Sequence, residues 1–269
     1  MIVIVDADCC ALPNESKDVA SQGDALLNLL AALEYEPQAP PLADLLKQHH
    51  QLKGDWVILS PISWQATHND AFIEATGKDL QLSDAESKTW FKQFADYFAE
   101  DGMALHYHNS QLWLLCVDNK PSLHAKPAHQ LINKPLMPEL AQLDASMYWQ
   151  KLITESQMLL ASLPNNTAFN GVWLWGGTKL AGQKPIAVCA DEHFFAMAQI
   201  TSSNVTLYDP KLPLKEFQII LLHDYDRLSE QHKTELKNSS VTWYWNNCGY
   251  TLNKRNWLIR LWRHLIHAH

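Results

Sequence analysis

The sequence predicts an α/β fold: a mostly parallel sheet core with an inserted α+β portion that contains a β-hairpin. Three observations carry this. Short apolar runs of strand length alternate with segments of helical periodicity near both ends of the chain, the pattern of a parallel sheet with crossover helices. The middle of the chain instead holds two strand-like runs joined by a tight polar turn. Glycine is scarce, with nine in 269 residues, roughly half the usual share of about 7%. That scarcity argues against glycine-rich phosphate loops, and no G-x-x-x-x-G-K-[ST], G-x-G-x-x-G or G-x-S-x-G is present. The core is expected from residues 1–60 and 170–269, and the inserted portion from residues 61–169.

Residues 1–5 are apolar and rich in β-branched side chains, so they read as a buried strand. Leu26, Leu27, Leu29, Leu30 and Leu33 mark a helix, which the Pro37-Gln-Ala-Pro-Pro41 stretch stops. Residues 55–60 read as a second buried strand, closed by Pro61. Ser83 and Glu86 have the spacing of a capping box. The helix they start would bury Phe91, Phe94, Ala95 and Phe98, and Asp101-Gly102 would end it. Residues 103–108 and 111–117 flank Asn109-Ser110 as a hairpin. Residues 119–138 are a proline-punctuated loop with room for one short helix. Asp144 can cap a helix reaching about Ser162, with Trp149, Ile153, Met158 and Leu160 along it. Beyond it, residues 185–190, 217–222 and 241–245 read as strands, and residues 191–200 and 227–238 as helices. Residues 253–267 form a final amphipathic pattern, with Leu258, Leu261, Trp262, Leu265 and Ile266 on one face; packing on the sheet explains that stripe better than a membrane surface does.

Composition narrows the function. Hydrophobic residues make up 47% and charged residues 19%, an ordinary globular balance. A net charge of −8 opposes general affinity for nucleic acid, which needs a basic footprint. Residues 1–50 hold eight acids against Lys17 and Lys47, whereas residues 251–269 hold Lys254, Arg255, Arg260 and Arg263 and no acid, so a protein partner is one expectation. The five cysteines, Cys9, Cys10, Cys116, Cys189 and Cys248, form no C-x-x-C pair, which disfavours a structural zinc site. The first residues lack the basic region of a secretory signal, and no membrane span is expected. A cytoplasmic setting follows as the expectation.

The most informative segment is Asn170-Gly-Val-Trp-Leu-Trp-Gly-Gly-Thr178. It reads as a short strand, apolar on both faces, that ends in a turn with almost no side chains. It also resembles the Asn-x-x-Trp-x-Trp-Gly-x-Gly signature of archaeal-type, cofactor-independent phosphoglycerate mutases, shared by a bacterial group of RpfE-type regulatory proteins. Thr178 stands where the signature ends in glycine. Further stretches look like the RpfE-type group in the same order: Ser60-Pro61 with Trp64-Gln65, Leu82 to Glu86, Phe98-Ala-Glu-Asp101-Gly102, and Glu155-Ser-Gln157-Met158-Leu159-Leu160. Where that group has a Cys-His pair before Trp64, this chain has Ile62-Ser63. The resemblance implies an alkaline-phosphatase-like fold, in which Asp and His ligands hold two divalent metals around a Ser or Thr nucleophile. Asp6 matches the aspartate expected after the first strand. The Asp-His and Gly-His pairs of that superfamily are missing from the chain.

Several residues are candidates for chemistry. Asp6 and Asp8, at i and i+2 after the first strand, could share one side and hold a cation such as Mn²⁺ or Mg²⁺. His223-Asp224 follows another strand, and Asp224 joins the candidate metal ligands; the plainer reading of Asp224 is a helix cap. Backbone N–H groups of Gly176 and Gly177, with the Thr178 hydroxyl, could face a small anion alongside His223. His106 and His108 form an H-x-H pair suited to zinc or copper, or a solvated pair beside a turn. Cys9-Cys10 reads as unreactive among apolar neighbours. The expected function is a non-catalytic regulatory or binding protein on a phosphoglycerate-mutase-like scaffold. The alternative is a metal-dependent phosphoryl-transfer enzyme, a phosphomutase or phosphatase.

Overall fold

The computed structural model describes residues 1–13, 16–162 and 168–252; the amphipathic pattern at residues 253–267 lies outside them. In chain order the elements are β1 (Ile2–Val5), β2 (Lys17–Val19), α1 (Ala25–Ala32), α2 (Leu42–His49), β3 (Trp56–Ala66), β4 (Ala71–Thr76), α3 (Asp84–Glu100), β5 (Leu105–Tyr107), β6 (Trp113–Cys116), α4 (Met137–Leu140), α5 (Tyr148–Ser162), β7 (Gly171–Trp175), β8 (Lys184–Ala190), α6 (Phe195–Thr201), β9 (Ser202–Leu207), β10 (Ile219–Leu222), α7 (Glu230–Lys237), β11 (Val241–Tyr244) and β12 (Gly249–Leu252). The protein is therefore mixed α/β. It divides into two units, Met1–Glu34 with Gly182–His269, and Tyr35–Ala181. Among the described residues no helix is long and apolar enough to cross a membrane.

The first unit is built on a seven-stranded sheet in the order β2-β12-β11-β1-β10-β8-β9. The five strands from β11 to β9 are parallel; at one edge β12 pairs antiparallel with β11, and β2 antiparallel with β12. Val3, Ile4 and Val5 of β1 and Ile220, Leu221 and Leu222 of β10 are wholly buried. Continuous apolar runs of this kind are what a parallel strand covered on both faces requires. The register sets Val5 opposite Leu222 and Leu221 opposite Ala190, so β1, β10 and β8 end side by side. The backbone carries this one residue further: Asp6 N–H donates to Leu222 O at 2.9 Å and Asp191 N–H to Leu221 O at 3.1 Å. Three adjacent loops thus leave the same edge of the sheet.

The strands of the second unit pair antiparallel. β3 is its centre, with β7 along one side and β6 then β4 in succession along the other; β5 lies outside β6. Pro61, expected to close the strand, instead lies within β3. It falls between Leu59, opposite Trp113 of β6, and Ile62, opposite Thr76 of β4. The handover from one neighbour to the next tolerates a residue with no N–H, and Thr76 Oγ1 donates to the Pro61 carbonyl at 3.1 Å. The core holds Trp113, Trp149, Trp173, Phe94, Phe98 and Phe169, all fully buried. Three buried indoles each find an acceptor: Trp149 at Pro121 O (3.1 Å), Trp173 at Lys126 O (2.9 Å) and Trp175 at Ser60 Oγ (2.9 Å). This is how large aromatic rings are buried without stranding a polar atom.

The expected division at residues 60 and 170 is corrected. Residues 35–60 and 170–181 belong to the second unit, and β1 and β7 lie in different sheets. β7 pairs antiparallel with β3, Ile58 facing Trp175, and α5 packs against it. An antiparallel strand covered on both faces has the same apolar sequence as a parallel one, so composition alone misassigned it. The capping box of α3 and the 103–117 hairpin form as expected. Asp144 does accept N–H groups, from Tyr148 and Trp149, but α5 begins only at Tyr148. The helix expected over 191–200 starts at Phe195, because residues 191–194 form a loop. The one expected over 227–238 is a short turn at Tyr225–Arg227 followed by α7, capped by Ser229. The helix α2 and the strands β2, β4, β9 and β12 were not anticipated.

Candidate metal centre

The three loops at the ends of β1, β10 and β8 bring together Asp6, His223 and His193. One ligand atom from each lies within 4.8 Å of the others, a spacing that a single metal ion can bridge. Asp6 is half-buried and the two histidines are exposed, so the cluster faces solvent. His223 Nδ1 lies 3.3 Å from Asp6 Oδ2, and the His193 and His223 rings stack with centroids 4.3 Å apart. Asp6 is held from its other oxygen: Asn246 Nδ2 donates to Oδ1 at 2.9 Å, while Asn246 N–H donates to Ala7 O.

Asp191 ties the two histidine loops together. It is buried, 7% exposed. One carboxylate oxygen accepts the His223 N–H at 2.6 Å and the other accepts the Phe194 N–H at 3.2 Å. Its carbonyl also accepts the N–H groups of Phe194 and Phe195, at the start of α6. One carboxylate thus fixes the backbone at His223 and next to His193, and with it the places of both rings.

A groove of about 500 Å³ opens beside the cluster, lined by Asp191, Glu192, His193, Tyr208, Pro210, His223 and Arg227. Tyr208 is already committed there: its hydroxyl accepts the Ser229 N–H at 3.0 Å and meets His232 Nδ1 at 2.8 Å. His232 is 1% exposed, and its Nε2 lies 2.9 Å from the Leu212 carbonyl. Nε2 therefore carries the proton and Nδ1 accepts from Tyr208. Arg227 supplies the positive charge of the groove.

Two histidines and one carboxylate suit Zn²⁺, Mn²⁺ or Fe²⁺ better than Mg²⁺, which prefers oxygen ligands. Of the sequence candidates, the structure brings Asp6 and His223 together and adds His193. Asp8 lies elsewhere: β1 stops at Val5, so strand alternation no longer aligns it with Asp6. It sits near Cys248, whose thiol is pushed up to about 11 by burial first, then by Cys9 and the carboxylates of Asp18 and Asp8. Asp224 caps the Tyr225–Arg227 turn, accepting the Asp226 N–H at 2.9 Å, which is the plainer of its two readings. Gly176, Gly177 and Thr178 belong to the second unit, not to the unit that holds Asp6 and His223. There the Gly176 carbonyl accepts the Ala43 N–H at 3.3 Å, and Leu180 N–H donates to Asp44 at 3.1 Å, so this turn anchors α2. His193 and Asp191 were missed because residues 191–200 read as a helix. An Asp-x-His directly after an apolar strand was the available signal. Comparison with protein-family models, curated proteins and solved structures finds no match to this chain.

Proposed function

We propose that this protein binds a small anionic ligand, of the phosphate or carboxylate class, at a divalent ion held by Asp6, His193 and His223, and that it acts as a binding or regulatory protein. The convergence of those three side chains at neighbouring ends of parallel strands is the observation that carries the reading. In open α/β sheets, ligands gather at that edge. The resemblance to phosphoglycerate mutases and RpfE-type proteins bears on this site through Asp6, which follows the first strand, while the Asn170–Thr178 motif lies in the other unit. An alkaline-phosphatase-like ancestry of the first unit belongs to the same proposal. Asp191 and Asn246 would hold the ligands in place, and Arg227 would draw the anion into the groove. A bound ion would polarise the oxygen of the anion. No Ser, Thr or Cys is among the residues lining the groove, and the Tyr208 hydroxyl is engaged with Ser229 and His232, which argues against phosphoryl transfer through a hydroxyl or thiol nucleophile.

A second reading, a metal-dependent phosphatase, draws on the ligand number: three protein ligands leave coordination positions open, as catalytic metal sites do. Calorimetry with Mn²⁺ or Zn²⁺ and inorganic phosphate tests both. Phosphate is expected to bind the metal-loaded protein and not the metal-free protein, and His193→Asn should abolish both events. Phosphate binding of equal strength without metal refutes the proposal. Turnover of a phosphate ester above a metal-only blank, lost in His193→Asn, would establish the phosphatase instead.

A further inference from the structure

The H-x-H of β5 is not used by the centre described above and lies in the other unit. His106 lies in β5 and His108 one residue past its end, and both rings meet the ring of His50, at the C-terminal end of α2. His50, which caps α2 with its N–H on Leu46 O, reaches His108 with Nε2 3.0 Å from Nδ1. The His106 ring packs on His50 with centroids 4.5 Å apart, and the His49 ring meets His50 edge to face at 4.9 Å. All four imidazoles are partly exposed. The carbonyl end of a helix carries partial negative charge, so it favours a cation.

We infer that His50 Nε2 and His108 Nδ1 form a second metal site, a chelate for a late first-row divalent ion of tetragonal preference such as Cu²⁺ or Ni²⁺. With metal–nitrogen bonds of about 2.0–2.1 Å, two nitrogens 3.0 Å apart subtend an angle of about 95° at the metal, near the right angle of a square-planar or tetragonal site. Tetrahedral zinc would need the nitrogens about 3.4 Å apart. In the hydrogen-bonded pair one ring presents N–H and the other a lone pair. Chelation requires two lone pairs, so the donor ring shifts its proton to its other nitrogen and no proton is lost overall. His106 closes one side of the site by packing on His50, and water completes the coordination.

The test is Cu²⁺ titration of the full chain, followed by electron paramagnetic resonance. To separate this site from the first, the titration is made in an Asp6→Ala/His193→Asn/His223→Asn background. One ion should still bind there, with a tetragonal signal split by two imidazole nitrogens. His50→Asn and His108→Asn should each weaken it at least tenfold, while exposed His68→Asn leaves it unchanged. A signal without two-nitrogen coupling, or uptake untouched by both His50→Asn and His108→Asn, overturns the inference. The resonance measurement needs no substitution at the site, so a variant that fails to fold does not protect the idea.

Discussion

Asp191→Asn should loosen the proposed metal centre and destabilise the unit that carries it, by amounts that follow from two hydrogen bonds. The carboxylate accepts one backbone N–H on each oxygen, from His223 at 2.6 Å and from Phe194 at 3.2 Å, in a position only 7% exposed. An amide keeps one acceptor and turns the other into a donor that faces an N–H. Losing one charge-assisted hydrogen bond costs roughly 1.5–3 kcal/mol, and the opposed donors push the total toward the upper end. For a chain of this size each kcal/mol corresponds to about 2–4 °C in Tm, so the drop should be roughly 4–10 °C. Because the same carboxylate fixes the backbone beside both histidines, affinity for Mn²⁺ or Zn²⁺ should fall about 10–100-fold. Differential scanning calorimetry and metal titration read the two effects separately. His193→Asn is the counterpart: it should remove metal binding while changing Tm little, since that side chain is exposed. A variant Asp191→Asn that melts within a degree of the parent and binds metal equally well would refute the orienting role.

Two further outcomes are expected. Burial first, then the charge of Lys134, holds His129 from its ordinary 6.5 down to about 4. The unfolded chain takes up this proton near pH 6.5 and the folded chain only near pH 4, so the stabilisation is complete above 6.5 and is lost as pH falls toward 4. The loss amounts to about 3 kcal/mol at most. Urea unfolding between pH 7 and 4 should show it, and His129→Gln should flatten that part of the profile; an unchanged slope contradicts the assignment. Gly176 has a φ of +77°, and an added Cβ would lie 3.1 Å from Ile58 Cγ1. Gly176→Ala should therefore cost about 1–2 kcal/mol, read by denaturant midpoint, and a neutral result would mean that the turn relaxes freely.

The sequence by itself determined those features whose cause is local. The α3 capping box lies in Ser83 and Glu86, the hairpin in the turn at Asn109-Ser110, and the buried strands β1 and β10 in unbroken apolar runs. Asp6 and His223 were legible as candidates because each directly follows such a run, at the edge where α/β sheets hold ligands. What only the tertiary structure decided is pairing. An apolar strand such as β7 carries no record of whether its neighbour is parallel or antiparallel, so its placement beside β3 rather than β1 could not be read. The same holds for the candidate metal centre. Asp6, His193 and His223 are far apart in sequence, and they meet only because the register ends β1, β8 and β10 side by side. The strongest ordering group, Asp191, was hidden for a related reason: a side chain that satisfies the backbone of a distant loop looks, along the chain, like an ordinary helix cap.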